Sequence, residues 1–367
     1  MGHDSFKQIK MYSDYNSIMI NGTFLKGFDI INYCRKAGNE ALLPVAEFAE
    51  EWLQPNSEMV LKTSGSTGDP KLITVHKDQM LFSASLTAGY FGFEPGQNAL
   101  LCLPVNYIAG KMMIVRAMFS GLNLIVVNPS HDPLKFLTSG TKIDFAAMIP
   151  FQLEQVKQMA EPVQIKNLLL GGGPVSAKLE NEANDLPIEI FHGYGMTETL
   201  SHIALRRVNG KNASQTYKVL PGIELQQDER NCLVISAGKL VNERLVTNDI
   251  VEFVSPGQFI WKGRFDNMIN SGGIKLFPEE LERKLQTFLK RRFYFTSLPD
   301  EKLGERLVLI IEGKPFNEVE MLLLNEALKA NFTKYEIPKQ IYFLQKFIET
   351  QTGKINRKMT TGRLIHQ

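Results

Sequence analysis

The sequence predicts an α/β protein with a large N-terminal domain and a small α+β C-terminal domain. Between residues 99 and 191, short apolar runs alternate with segments of helical periodicity, which is typical of a mostly parallel sheet covered by helices on both faces. From residue 201 to 261, strand-length runs follow one another and predict an antiparallel β-rich section. A polar break at residues 262–266 then precedes a mixed segment.

The 367 residues suffice for two domains. We place an N-terminal domain at residues 1–262, a linker at residues 263–266 and a C-terminal domain at residues 267–367.

The individual elements follow from periodicity and from turn residues. Pro44 suits a helix start, Gly92 and Pro95 a helix end, and Pro221-Gly222 and Pro256-Gly257 suit turns. The predicted helices are residues 44–53, 77–91, 108–119, 133–138, 151–159, 177–184, 278–289 and 316–331. The predicted strands are residues 17–20, 59–61, 72–75, 99–103, 123–127, 145–149, 167–170, 188–191, 203–206, 233–236, 250–254, 259–261, 307–311 and 340–344.

Composition and charge exclude several classes of protein. With 44% hydrophobic residues, 22% charged residues and a net charge of +2, nothing indicates a nucleic-acid or membrane partner. The three cysteines, Cys34, Cys102 and Cys232, have no metal-binding or redox spacing. We expect buried cysteines in a cytoplasmic protein.

A hydroxyl-rich and glycine-rich loop lies between the predicted strands 59–61 and 72–75. Its backbone N–H groups, hydroxyls and terminal lysine suit a polyphosphate, although a solvated Ser/Gly hairpin turn has the same composition. It is not a Walker A loop, because its lysine enters a strand and not a helix. The loop consists of Thr63, Ser64, Gly65, Ser66, Thr67, Gly68, Asp69, Pro70 and Lys71.

Two further unusual segments follow predicted parallel strands, where open α/β sheets bind ligands. Residues 171–174 are Gly-Gly-Gly-Pro and follow strand 167–170. Residues 192–198 are His-Gly-Tyr-Gly-Met-Thr-Glu and follow strand 188–191.

Together with later motifs, these segments resemble the adenylate-forming superfamily of acyl-CoA synthetases, luciferases and peptide-synthetase adenylation domains. Residues 63–71 match the phosphate loop T-S-G-S-T-G-x-P-K, and residues 194–198 match Y-G-x-T-E. Asp249 matches a family aspartate, although Thr247-Asn248 replaces Thr-Gly. Residues 263–266 match the hinge motif G-R-x-D, and Gly353-Lys354 matches the C-terminal lysine motif.

A narrower resemblance is to o-succinylbenzoate–CoA ligases of menaquinone synthesis. It rests on residues 197–204, on residues 263–267, on Ser271-Gly272-Gly273 and on Pro278-Glu279-Glu280.

The resemblance implies a two-step ligase that uses ATP, Mg²⁺ and coenzyme A. A carboxylate first attacks the α-phosphorus of ATP, and the thiol of coenzyme A then displaces AMP. It also implies that the C-terminal domain is mobile and rotates about Asp266.

The resemblance implies roles for individual residues. By this resemblance the catalytic residues would be Lys354, Thr197 and Glu198, and Glu198 would also bind Mg²⁺. ATP, AMP or coenzyme A would contact Thr63, Ser64, Gly65, Ser66, Thr67, Gly68, Lys71, Gly171, Gly172, Gly173, His192, Gly193, Tyr194, Gly195, Asp249, Arg264, Gly272 and Gly273.

Taken alone, many of these residues have ordinary explanations. Glu198 suits the first turn of a helix, residues 171–173 suit a strand-to-helix turn, and Lys354 suits a solvated basic tail. The acid substrate has the candidate ligands Tyr107, His192, His202 and Arg206, with Arg116 as a further cation for a second carboxylate.

The chain departs from the family pattern in three further places. Tyr107 stands where the family usually has His, and Asn270 stands where it often has Lys. Only 62 residues precede the phosphate loop, so we expect an exposed sheet edge that a homodimer could cover. Two other functions stay open: adenylation of another acid or for a carrier protein, and nucleotide binding without turnover.

Overall fold

The structure is a computed structural model that describes residues 11–62, 72–156, 163–349 and 355–365. The helices are α1 (Phe28–Lys36), α2 (Leu43–Leu53), α3 (Lys77–Phe91), α4 (Ile108–Ser120), α5 (Pro150–Val156), α6 (Ala177–Ala183), α7 (Pro278–Leu285), α8 (Glu318–Asn331) and α9 (Arg357–Ile365).

Most strands belong to one large mixed sheet. The strands are β1 (Ser17–Ile20), β2 (Thr23–Lys26), β3 (Glu58–Lys62), β4 (Leu72–His76), β5 (Asn98–Leu101), β6 (Asn123–Val126), β7 (Lys142–Met148), β8 (Gln164–Leu170), β9 (Glu189–Gly195), β10 (His202–Arg207), β11 (Thr216–Val219), β12 (Glu224–Gln227), β13 (Cys232–Ser236), β14 (Leu245–Ser255), β15 (Gln258–Arg264), β16 (Ile269–Ser271), β17 (Ile274–Leu276), β18 (Phe293–Asp300), β19 (Gly304–Glu312) and β20 (Gln340–Leu344).

The large sheet has the order β12-β13-β14-β15-β11-β10-β9-β8-β7-β5-β6-β1-β2. The segment from β1 through β6, β5, β7 and β8 to β9 is parallel, and the strands from β10 to β15 are antiparallel. This arrangement confirms the predicted fold class.

Burial on both faces explains the continuous apolar runs in the parallel strands. Leu101 and Leu103 pack into a core with α3 and α4, whereas Leu100 and Cys102 pack into a second core with α5 and α6. Consecutive positions in the middle of such a strand are therefore apolar. The three cysteines are buried, as predicted, and burial raises the pKa of Cys102 to about 12.

Several sequence predictions were wrong or incomplete. Residues 133–138 do not form an α-helix but contain a single 3₁₀ turn, Leu134–Phe136. Strand β9 continues through Gly195, so the segment that begins at His192 is not a loop at its start. The prediction missed α1, α9, β2, β11, β12, β16, β17 and β18, and the last residues of the predicted helix 151–159 lie outside the described part of the chain.

The chain leaves the large sheet at the proposed hinge. Strand β15 runs through Arg264, which pairs with Asp249, and a 3₁₀ turn at Phe265–Asn267 leads to a second sheet. That sheet has the order β17-β16-β19-β18 with β20 beside β19. Helix α7 returns to the large sheet, where Glu280 lies 2.6 Å from Lys262. No helix in the described ranges is long and apolar enough to cross a membrane.

A charged cluster joins α9 to α7 beside the second sheet. Arg357 lies 2.7 Å from Glu282 and 4.0 Å from Glu279, and the side chain of Glu282 is 13% exposed. Burial raises the pKa of Glu282 to about 7, against the charge of Arg357, and Glu279 adds repulsion. Glu282 therefore binds its proton more tightly in the folded state than in the unfolded state.

We predict that Glu282→Gln flattens the pH dependence of stability. The contribution of Glu282 is fully present below its ordinary pKa of 4.5 and is lost as the pH rises through about 7. Since one pKa unit corresponds to about 1.4 kcal/mol, the wild-type protein should lose about 3 kcal/mol more than the variant over this window. Urea unfolding of both proteins at a series of pH values measures the difference. Parallel pH profiles would contradict the prediction.

Candidate active site

Part of the predicted site lies outside the described residues. The two strands predicted on either side of the phosphate loop are present as β3 and β4, and they pair antiparallel with Lys62 opposite Leu72. The predicted site residues that lie outside the described part are Thr63, Ser64, Gly65, Ser66, Thr67, Gly68, Lys71 and Lys354.

The Gly-Gly-Gly segment lies beside His192 because β8 and β9 are parallel neighbours. Leu170 pairs with His192, and Gly171, Gly172 and Gly173 continue from β8. Nε2 of His192 lies 2.9 Å from the carbonyl of Gly173, and Nδ1 lies 2.7 Å from the hydroxyl of Tyr217.

These contacts define the state of the His192 ring. Burial, followed by the charge of Arg206, lowers the pKa of His192 to about 3, so the ring is neutral. A carbonyl only accepts hydrogen bonds, so Nε2 donates to Gly173 and Nδ1 accepts from Tyr217. Both ring nitrogens are thereby engaged, and His192 positions the Gly173 backbone.

Three other side chains surround Asp249, which lies within β14. The hydroxyl of Tyr194 donates to its carboxylate at 2.8 Å, and the indole of Trp261 donates at 3.1 Å. Arg264, opposite Asp249 in the register, lies 4.0 Å away and also binds Asp266 at 2.9 Å. Burial, and then the charge of Asp249, raises the pKa of Tyr194, which remains a phenol. The structure thus brings Tyr194, Asp249 and Arg264 together.

A tight turn presents Thr197 and Glu198 after β9. These residues lie in the 3₁₀ turn Thr197–Thr199, and Glu198 is exposed. A Cβ at Gly195 would lie 2.2 Å from the carbonyl oxygen of Ser201, so no larger residue fits. Leu200 adopts a φ of 64°, a strained conformation for a leucine.

Arg116 is buried without an acidic partner among the described residues. It is 2% exposed, and it donates to the hydroxyls of Thr87 at 3.2 Å and Ser201 at 2.5 Å. His202 lies beside it, 3.2 Å from the Ser201 hydroxyl and 3.5 Å from that of Thr87. Burial lowers the pKa of Arg116 to about 10, and burial with the charge of Arg116 lowers that of His202. Arg116 therefore remains a cation at neutral pH beside a neutral imidazole.

Arg206, the other buried arginine, is already paired. It lies 2.5 Å from Glu180 and also donates to the carbonyl of Ser214. Its guanidinium lies over the ring of Tyr217, 5.7 Å from the ring centre. The charge of Arg206 is therefore compensated by Glu180, whereas Arg116 has no acidic partner among the described residues.

The remaining predicted residues lie apart from this group. Tyr107 precedes α4 and is 45% exposed. Gly272 and Gly273 connect β16 and β17 with φ values of 61° and 85°, as a two-residue hairpin turn with two positive φ angles requires. The turn itself explains both glycines.

Several residues of the site are not predicted by the sequence. Tyr217 and Glu180 lie in segments without a motif. Thr87 and Ser201 carry hydroxyl groups, but the sequence has many other serines and threonines. Trp261 carries the clearest signal, since the chain has only two tryptophans and this one ends the β-rich section.

A comparison with relatives supports the superfamily prediction. A 2-succinylbenzoate–CoA ligase of Salmonella typhimurium is 29% identical over 73% of this chain and 60% of its own length. One of Listeria monocytogenes is 24% identical over 86% of this chain and 72% of its own length. The chain thus spans between 60 and 72% of these two relatives.

Solved structures show the same fold. A crystal structure of an acyl-CoA synthetase (AMP-forming)/AMP-acid ligase II-like protein from Dyadobacter fermentans is 38% identical over 91% of this chain and 98% of its own, with a TM-score of 0.60. The O-succinylbenzoate coenzyme A synthetase of Bacillus subtilis, in complex with ATP and magnesium ion, is 19% identical over 85% of this chain and 74% of its own, with a TM-score of 0.72.

The model of the AMP-binding enzyme family matches residues 29–239, more than half of the chain. This match and the structural relatives confirm the predicted enzyme class, an adenylate-forming ligase. The chain belongs to the AMP-binding enzyme family.

Proposed function

We propose that this protein is an ATP-dependent carboxylate–CoA ligase and that its acid is o-succinylbenzoate. The observation that carries the choice of acid is Arg116, a buried guanidinium whose described neighbours are hydroxyls, a thioether and a neutral histidine. Relatives that are named 2-succinylbenzoate–CoA ligases support the same choice.

The energetics of Arg116 favour an acid with two carboxylates. A buried cation loses the free energy of its hydration. Only hydrogen bonds and an opposite charge can compensate for that loss. Thr87 and Ser201 supply hydrogen bonds but no charge. The carboxylate of the substrate that does not react would supply that charge, and the partly exposed Ser201 marks the side from which it would approach.

The first half-reaction joins the reacting carboxylate to the α-phosphorus of ATP and releases pyrophosphate. We assign the adenine to Gly171, Gly172 and Gly173, and the ribose to the Asp249 carboxylate and Arg264. The phosphate loop at residues 63–71 would hold the leaving pyrophosphate. Lys354 would stabilise the charge that develops between the carboxylate and the α-phosphate.

The exposed carboxylate of Glu198 fits a magnesium ion, which prefers one or two carboxylates together with phosphate oxygens. The ion would neutralise phosphate charge when bound. Thr197, adjacent in the same turn, would contact the α-phosphate.

In the second half-reaction the thiol of coenzyme A attacks the acyl carbon and AMP leaves. We assign the approach of coenzyme A to the turn at Gly272 and Gly273, after rotation about Asp266. Arg264 binds Asp266 at 2.9 Å and lies 4.0 Å from Asp249, so one side chain links the proposed hinge to the proposed ribose site.

We predict that Arg116→Met lowers kcat/KM for o-succinylbenzoate by about 10²- to 10⁴-fold. The variant keeps the bulk of the side chain but removes the charge, and a lost buried ion pair costs about 3–5 kcal/mol. Benzoate and other acids without a second carboxylate should react equally with wild type and variant. Pyrophosphate release with a panel of acids, with and without coenzyme A, measures both effects.

Arg207→Met is the control for Arg116→Met, because it removes a guanidinium that already pairs with an exposed acid, Glu189. This variant should keep the wild-type acid preference. If wild type prefers monocarboxylic acids, the substrate is an acid other than o-succinylbenzoate. If coenzyme A does not accelerate turnover, the acyl acceptor is a carrier protein and not coenzyme A. If pyrophosphate is not released with any acid, the protein binds nucleotide without turnover.

We predict that Lys354→Ala abolishes formation of the acyl-adenylate but spares thioester formation from supplied acyl-adenylate. The lysine acts on the α-phosphate in the first half-reaction and moves away with its domain before the second. Single-turnover assays of the two half-reactions measure both rates. Equal loss in both half-reactions would show that Lys354 has no step-specific role.

A further inference from the structure

A series of side-chain hydrogen bonds, with one contact between a guanidinium and an aromatic ring, crosses from the C-terminal domain to the Gly-Gly-Gly segment. It begins on α7, where Arg283 donates to the side-chain oxygen of Gln215 at 2.8 Å. Gln215 precedes β11 of the large sheet, so this bond joins the two proposed domains. It exists only while α7 lies against β15.

The next step connects Gln215 to a buried ion pair. The side-chain amide of Gln215 donates to one oxygen of Glu180 at 2.8 Å, and Arg206 donates to the other oxygen at 2.5 Å. The side chains of Arg206 and Glu180 are 4% and 14% exposed. Because both carboxylate oxygens are engaged, a shift of Gln215 changes the hydrogen bonding of Glu180 and hence of Arg206.

The last step leads from Arg206 to the proposed adenine site. Arg206 lies over the ring of Tyr217, whose hydroxyl donates to His192, and His192 donates to the carbonyl of Gly173. Tyr217 and His192 are 6% and 8% exposed, so neither readily replaces these bonds with water. Each side chain in this series thus fixes the orientation of the next one.

We propose that the Arg283–Gln215 bond couples the orientation of the C-terminal domain to the affinity of the Gly-Gly-Gly segment for the adenine nucleotide. Arg283, Gln215 and Glu180 are positioning residues in this proposal, and they act through Arg206, Tyr217 and His192. The proposal rests on the proposed function insofar as the nucleotide lies at Gly173. The two-state element is the docked or undocked position of α7.

The first test measures AMP binding by calorimetry in a double-mutant cycle. Arg283→Ala should weaken AMP binding about 5- to 20-fold, at the lower end of ordinary coupling between sites. In the Tyr217→Phe background, which lacks the hydroxyl that reaches His192, Arg283→Ala should have little further effect. Additive losses, or an unchanged affinity in Arg283→Ala, would overturn the coupling.

Lys284→Ala is the matched control on the same helix. Lys284 binds Glu336 at 2.7 Å within the C-terminal domain and does not contact Gln215 among the described residues. This variant should bind AMP like wild type. An equal loss in both variants would show that damage to α7, and not the Arg283–Gln215 bond, weakens the site.

A second test does not depend on the nucleotide. Nitrogen NMR of His192 should show a neutral ring with hydrogen on Nε2 and a hydrogen bond to Nδ1 in wild type. Arg283→Ala should shift the Nδ1 resonance, while Lys284→Ala should not. If wild type does not bind AMP, the proposed function fails, but the His192 resonance still decides whether the coupling exists. An unchanged resonance in Arg283→Ala would overturn it.

Discussion

The parallel pairing of β8 and β9 is the constraint on which the candidate site depends. Because Leu170 lies opposite His192, the two chain segments that follow reach the same edge of the sheet. The bond from His192 to the Gly173 carbonyl joins these segments directly. A slip of the pairing by one residue would turn His192 toward the other face of the sheet and break this bond. The burial of both faces of the parallel strands makes such a slip costly.

Two buried arginines show how one residue type can serve opposite purposes. Arg206 meets Glu180 and thereby stabilises the junction between α6 and β10. Arg116 meets only hydroxyls, sulfur and a neutral imidazole in the described part of the chain, so its charge is compensated by hydrogen bonding alone. Since the protein bears the cost of burying that charge, a role in binding an anion is a better explanation of Arg116 than a role in stability.

Local sequence patterns predicted the fold better than they predicted the site. The parallel strands were readable because burial on both faces leaves uninterrupted apolar runs, and the helix Lys77–Phe91 was predicted to the residue. Strand β18 was missed because it is an edge strand that contains Pro299 and follows two arginines, which is not a typical strand pattern. The prediction for β9 ended too early because the last residues of this strand are polar or glycine. The helix predicted at residues 133–138 had apolar spacing but too little length.

The contacts that give the site its character join residues far apart in the chain. Tyr217 and His192 meet across β9, β10 and β11, and Arg283 meets Gln215 only because α7 folds back onto β15. A motif specifies which residues are present but not which neutral or charged groups surround them. The low pKa of His192 depends on burial and on Arg206, so the same imidazole at a solvent-exposed loop would titrate near neutral pH and would not hold Gly173 through one tautomer. The environment, and not the residue type, therefore makes His192 a positioning residue.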